Sequence, residues 1–201
     1  MLNEKKTGPV ASSDGAVNPA RIDRQGASVV TEAHGEYNEA TVRDNVFIAA
    51  TQAEDTWTVA LAAAYTGLIV SNPAGSNKNL SILKAGMNIT TAPVGIASIH
   101  LAGGYAAGGI VTYNAIAFYN MKLGSAAASV ANVGDTATLV GTPIYLYPLI
   151  GGFTAAALFA QPAALTDIGG SIVVPPGAYV CIVALTVALG FGCIVWEEIP
   201  I

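Results

Sequence analysis

Side chains able to do chemistry are few in this 201-residue chain, and their spacing is poor for it. Past residue 55 there are four carboxylates: Asp135, Asp167, Glu197 and Glu198. A glycosidase needs two carboxylates flanking one bond. Glu197 and Glu198 are neighbours, and on a strand neighbours point to opposite faces. Asp135 in NVGDTAT and Asp167 in ALTDIGG sit in turn-like contexts, where aspartate commonly bonds its own backbone. The histidines, His34 and His100, lie far apart, and neither has a second ligand at metal-site spacing. No serine occupies a G-x-S-x-G elbow. Gly103-Gly104 and Gly108-Gly109 are followed by no lysine and open no helix, unlike a phosphate cradle. The expectation is a chain that is not an enzyme, with no catalytic residue, cofactor or metal. Tyr105, Tyr113, Phe118, Tyr119, Tyr145 and Tyr147 offer a different chemistry. Such rings stack on sugar faces, and they equally build cores and subunit interfaces; interface or core is the favoured use.

What must position these residues is an unusually apolar body. Hydrophobic residues make up 53% of the chain and charged residues 10%, against about 25% charged in an ordinary soluble domain. Residues 1–55 hold 14 of the 21 charged side chains, so the remainder has too few to coat a free monomer. Part of that surface is expected to be covered in an oligomer or on a scaffold. A net charge of −5 with no basic run argues against nucleic acid as a direct partner. The start, MLNEKKTGPV, has no apolar core of a secretory signal.

The run Asp167–Glu197 carries no charge between its ends, and Ala178–Trp196 is long enough to span a bilayer as a helix. Its content says strand. Val173, Val174, Val180, Ile182, Val183, Thr186, Val187, Ile194 and Val195 are β-branched. Pro175-Pro176-Gly177 has type II turn chemistry, Gly190 and Gly192 suit a second bend, and no Lys or Arg flanks the run. Strands are expected at about 171–174, 178–186 and 191–198, all buried on both faces, with no membrane span. A hairpin centred near Val187 would set Cys181 opposite Cys193. A disulfide is then geometrically conceivable, and two buried thiols acting as small hydrophobes are the favoured state.

Earlier in the chain, apolar runs recur every 8 to 14 residues: 46–50, 57–61, 66–72, 79–91, 95–105, 109–119, 121–130, 135–150 with a break at Gly141-Thr142-Pro143, and, weakly, 153–160. Within 79–91, Leu80, Ile82 and Lys84 alternate with Ser81, Leu83 and Ala85. This rhythm predicts an all-β fold, a β-sandwich or jelly roll, over residues 46–201. Residues 1–45 are polar, Gly- and Pro-punctuated and without period, and read as an extended N-terminal arm that orders against a partner. Arg21, Arg24 and Arg43 are its best contacts, since arginine pairs bidentately with carboxylates, and Tyr37 is a candidate anchor.

Four segments carry a resemblance: EYNEATVRDNVFIAATQA (36–53), TGLIVSNPAGSNKNLSILKAG (66–86), GGSIVVPPGAYVCIV (169–183) and FGCIVWEEIPI (191–201). Together they resemble small head or decoration-type virion proteins of tailed bacteriophages, from residue 36 to the end. None of these motifs is catalytic. The resemblance implies a capsid-associated cement or decoration protein, located in the virion and assembled in the host cytoplasm. Its partners would be itself, as a homotrimer suited to capsid three-fold positions, and the major capsid protein or another virion protein. The alternative function is a glycan-binding host-recognition module of a fibre or tail.

Overall fold

The alternating and β-branched runs form strands throughout the computed structural model, which describes residues 36–57, 61–91, 97–105, 110–153, 164–184 and 186–201. A short helix, α1 (Asn38–Val42), precedes twelve strands among these residues. They are β1 (Val46–Ala50), β2 (Asp55–Trp57), β3 (Ala64–Ser71), β4 (Lys78–Thr91), β5 (Ala97–Tyr105), β6 (Ile110–Ala115), β7 (Phe118–Asn120), β8 (Asn132–Leu139), β9 (Ile144–Phe153), β10 (Ala164–Val174), β11 (Ala178–Ala184) and β12 (Ala188–Pro200). One antiparallel sheet has the order β10-β4-β12-β1-β7, with β2 also on β12; the other has β6-β8-β3-β11-β5-β9.

The order is informative. Set aside β2, β6, β7 and β8, and count the remaining eight strands along the chain. The first sheet then reads sixth, third, eighth, first, and the second reads second, seventh, fourth, fifth. That is the double Greek-key arrangement of a jelly roll. The insertion between β5 and β9 extends both sheets, β7 beside β1 and β8 then β6 beside β3.

The apolar run at the end of the chain is therefore pleated sheet, as its β-branched content predicts. Pro175–Ala178 is a β-turn closed by Ala178 N–H donating to Pro175 O at 3.0 Å, with Gly177 at φ 85°. Proline ahead of a positive-φ glycine is the type II pattern. Two expectations about this run are corrected. β11 and β12 lie in different sheets, so there is no hairpin at Val187: Cys181 pairs with Ile69 and Ala102, Cys193 with Ala50 and Gly86, and both thiols are free. Burial on both faces holds for β11, whose seven residues are all buried, but not for β10, where Leu165 and Val173 are exposed.

Gly190 and Gly192 make no bend either; they lie inside β12. A Cβ on Gly190 would meet the Asn88 backbone 2.0 Å away, and the smallness of Gly192 serves Trp57. A Cβ on Gly192 would fall 2.2 Å from the Trp57 ring, and one on Gly67, in the facing sheet, 2.5 Å from it. Gly67 also has φ 126°, a conformation open to glycine. The fully buried indole thus fills a slot cut from both sheets, and its Nε1–H donates to Gly190 O at 3.3 Å. Deeper in the same core, Trp196 packs on Phe47 and Phe118, with ring centroids 6.1 and 6.3 Å away.

Two further corrections are local. The alternation in β4 changes phase: Leu80 and Ile82 face the core, then Ala85 and Met87 do, because the pairing with β12 slips between Val195 and Trp196 and leaves Leu83 unopposed. Residues 121–130 are not a strand. Gly124 takes φ 86°, and the Ser125 and Ser129 hydroxyls accept the N–H groups of Ala127 and Ala131, which diverts the backbone from pairing. The expected strand at 153–160 falls, after Phe153, outside the described residues.

Two of the sequence motifs meet at one buried side chain. Asn72, in the S-N-P-A-G-S turn, donates through Nδ2 to Lys78 O at 2.7 Å and to Val174 O at 2.9 Å. Its N–H donates to Ala178 O and its carbonyl accepts Gly177 N–H. One asparagine thereby ties β3 and β4 to the proline turn between β10 and β11.

Filling the tryptophan slot tests this packing. Gly192→Ala is expected to destabilise the chain by about 1–3 kcal/mol, the usual cost of overpacking, read as a lower urea midpoint at unchanged m-value.

Candidate partner-binding surface

Of the four residues expected to touch a partner, Arg21 and Arg24 lie outside the described residues. Tyr37 is half-buried just ahead of α1, and Arg43 is exposed just after it. What fixes this region is a cluster the sequence reading missed. α1 ends in a Schellman cap: Asn45 N–H reaches Ala40 O at 3.0 Å, Asp44 N–H reaches Thr41 O at 3.1 Å, and Asp44 sits at φ 64°. Lys122 Nζ donates to Val42 O and pairs with Asp44 Oδ2, both at 3.1 Å, while Asn120 Nδ2 donates to Asp44 O at 2.8 Å. The hydroxyl of Ser125 and the Lys122 ammonium hold the Asp44 carboxyl below the usual range. The chain therefore enters β1 at a set point and angle. An aspartate two residues past a short polar helix, with an asparagine and lysine some 75 residues on, leaves no local sequence mark.

The four carboxylates do not converge. Asp135 is on β8 and Asp167 on β10, in different sheets; Asp167 pairs with Lys84 at 3.8 Å. Glu197 and Glu198 point to opposite faces, as adjacent strand residues should, and Glu198 is 1% exposed. It accepts Lys78 Nζ at 2.7 Å, Val130 N–H at 2.8 Å and the Ser129 hydroxyl. This carboxylate locks β12, the start of β4 and the loop before β8 together. His100 lies in mid-strand on β5, its Nε2 2.9 Å from Ser98 Oγ and its ring 4.8 Å from that of Tyr145. No group of three or more His, Cys, Asp or Glu among the described residues is placed to hold a metal. Nor is any helix among them long and apolar enough to cross a membrane.

The aromatics do not make one sugar-stacking face. Phe118 and Tyr147 pack against the core, while exposed Tyr119, Tyr113 and Tyr145 sit on β7, β6 and β9, three separate edge strands. The side chain of Tyr105 lies outside the described set.

The apolar surface concentrates elsewhere. β9 and β10 are the terminal strands of their sheets, bridged by Thr166 Oγ1 donating to Leu149 O at 3.2 Å. Along them Ile144, Tyr145, Leu146, Leu165 and Val173 are 42–58% exposed. Between Ile144 and Leu146 on one strand and Val173 on the other lies a mostly apolar cleft of about 220 Å³, floored by Gly103, Gly104 and Tyr179. Pro148 interrupts β9, and β10 carries a bulge at Gly169-Gly170 with both residues at positive φ. Such devices blunt an edge against adding a strand. The surface invites side-chain packing while discouraging sheet extension.

Burial raises the pKa of several described groups, none in a catalytic constellation. Burial pushes the Cys181 thiol up strongly and the Tyr179 phenol to about 12, with Cys181 adding to the latter. Both are inert structural groups. Burial, and then the Asp135 charge, raise Asp55, whose Oδ1 accepts Thr56 N–H at 2.9 Å and whose Oδ2 has no partner.

Two substitutions check these assignments. Glu198→Ala strands a lysine, a hydroxyl and an amide N–H, and should cost about 3 kcal/mol in urea unfolding, with Glu198→Gln costing less. A carboxyl raised on folding loses stability as pH climbs through its folded pKa, and imposes no such penalty below its unfolded value. Asp55→Asn is therefore expected to raise Tm at pH 7, with the gain vanishing near about pH 3, by calorimetry.

No protein-family model, curated protein or solved structure matches this chain.

Proposed function

We propose that this chain is a structural component of a tailed-phage virion, a decoration or cement protein that binds the capsid shell through its N-terminal arm and self-associates through its jelly-roll body. The observation that carries the reading is the β9–β10 edge. Five large apolar side chains stand exposed on two strands that are shaped against strand addition. On a body so poor in charge, a surface of this kind is what another copy covers. Packing of apolar area at roughly 25 cal/mol per Å² supplies the driving force. In a homotrimer the β9 side of one copy's edge would meet the β10 side of the next, a heterologous contact that closes around a three-fold axis and suits the three-fold positions of a shell.

The resemblance of the four motif segments to phage head proteins supplies the setting. The polar first 45 residues supply the grip, with Arg21, Arg24, Tyr37 and Arg43 as contacts to the major capsid protein. The Asp44–Lys122 cluster gives that grip a fixed origin on the body. The work is mechanical: each arm laid across neighbouring shell subunits adds hydrogen bonds and buried area that resist pressure from within.

Deleting residues 1–35 tests this. The truncated chain is expected to keep its β-rich circular dichroism and its self-association but to stop co-sedimenting with capsids. Undiminished co-sedimentation would remove the arm from the mechanism.

A further inference from the structure

The second sheet outruns the first. Past Leu68, which packs in the main core, β3, β8 and β6 continue as a sheet face with an open groove of about 550 Å³ on it. The strand register puts Thr112, Thr138 and Ala64 in one row and Thr136 and Thr66 in the next, side by side on one face. Thr112, Thr136 and Thr138 are exposed, as is Asn114 at the groove wall. Asn114 is not loose: its Nδ2 donates to Asp135 Oδ1 at 2.7 Å, which sets the direction of its carbonyl. Tyr113, which pairs with Ala137, turns its ring to the other face of the sheet, over Gly134.

We infer that this groove binds a neutral saccharide. Threonine hydroxyls both donate and accept, and the oriented asparagine carbonyl and the Asp135 carboxylate accept. A sugar presents the matching set: ring hydroxyls that both donate and accept. The volume lies in the range of small-ligand sites. Charge selects within this chemistry. Among the described residues the lining holds no cation, and Asp135 lies beside it with Asp55 within its field, so phosphate, sulfate and acidic sugars are repelled. The groove is on β3, β6 and β8, away from the β9–β10 edge, so a copy covering that edge leaves it open.

The test uses the full chain on an array of neutral and acidic oligosaccharides, followed by calorimetric titration of the best neutral glycan. Thr112→Val with Thr138→Val removes two exposed hydroxyls and should weaken binding about tenfold, a loss of about 1.4 kcal/mol, while Leu123→Ser, in the exposed loop before β8, leaves it unchanged. On the unmodified protein, threonine methyl resonances that shift with the sugar should be those of the groove, whatever the folding of the variants. Absence of neutral glycan binding, preference for acidic glycans, or shifts confined to other threonines would overturn the assignment.

Discussion

The fold depends on one strand that has no wet side. β11 is hydrogen-bonded to β3 on one flank and β5 on the other, and all seven of its side chains are buried. Ala178, Val180, Ile182 and Ala184 face the core between the sheets, and Tyr179, Cys181 and Val183 join a second cluster with Tyr65, Ile69, Ala102, Ala137 and Leu139. Each large aliphatic side chain so buried contributes about 1.5–3 kcal/mol. No residue of this strand can turn polar without loss, and its neighbours are constrained in turn. Tyr65 shows the consequence: its hydroxyl sits fully inside and donates to Ile182 O, and burial raises its pKa well above the ordinary phenol.

From that constraint follows the division of labour in the chain. A body built to bury both faces of a central strand has little room for charge, and the charges it keeps are used structurally. Glu198 and Lys78 close one end of the sandwich, and Asp44 and Lys122 fix the entry to β1. The surface is then left to threonines, asparagine and apolar edges. Such edges require cover, and such hydroxyl-lined grooves accept polar neutral ligands. The functional readings are two uses of one economy of charge.

How much of this was legible in the sequence depends on the range of the interaction. The β-branched content of 178–196 favoured strands over a membrane helix, because branching at Cβ is a local preference. The proline turn at 175–178 was readable for the same reason, as was the opposite facing of Glu197 and Glu198. The errors share a cause. Gly190 and Gly192 look like bend formers until the backbone of Asn88 and the ring of Trp57 are known to need the space of their missing Cβ atoms. The cysteines look like a hairpin pair until β11 and β12 prove to pair with other strands in separate sheets. The phase slip at Leu83, the Asp44 cluster and the threonine groove all arise from pairing between distant strands, which alternation within one strand does not encode. The jelly roll itself was foreseen as a class, whereas its strand order emerges only from those pairings.

The claim most exposed to measurement is that the apolar β9–β10 edge is an interface between copies. Sedimentation equilibrium of the intact chain over a wide dilution range addresses it directly. The account predicts a trimer that dissociates when Ile144, Leu146 and Val173 are replaced together by serine. A chain that sediments as a monomer at every concentration, with that edge unaltered, would contradict it.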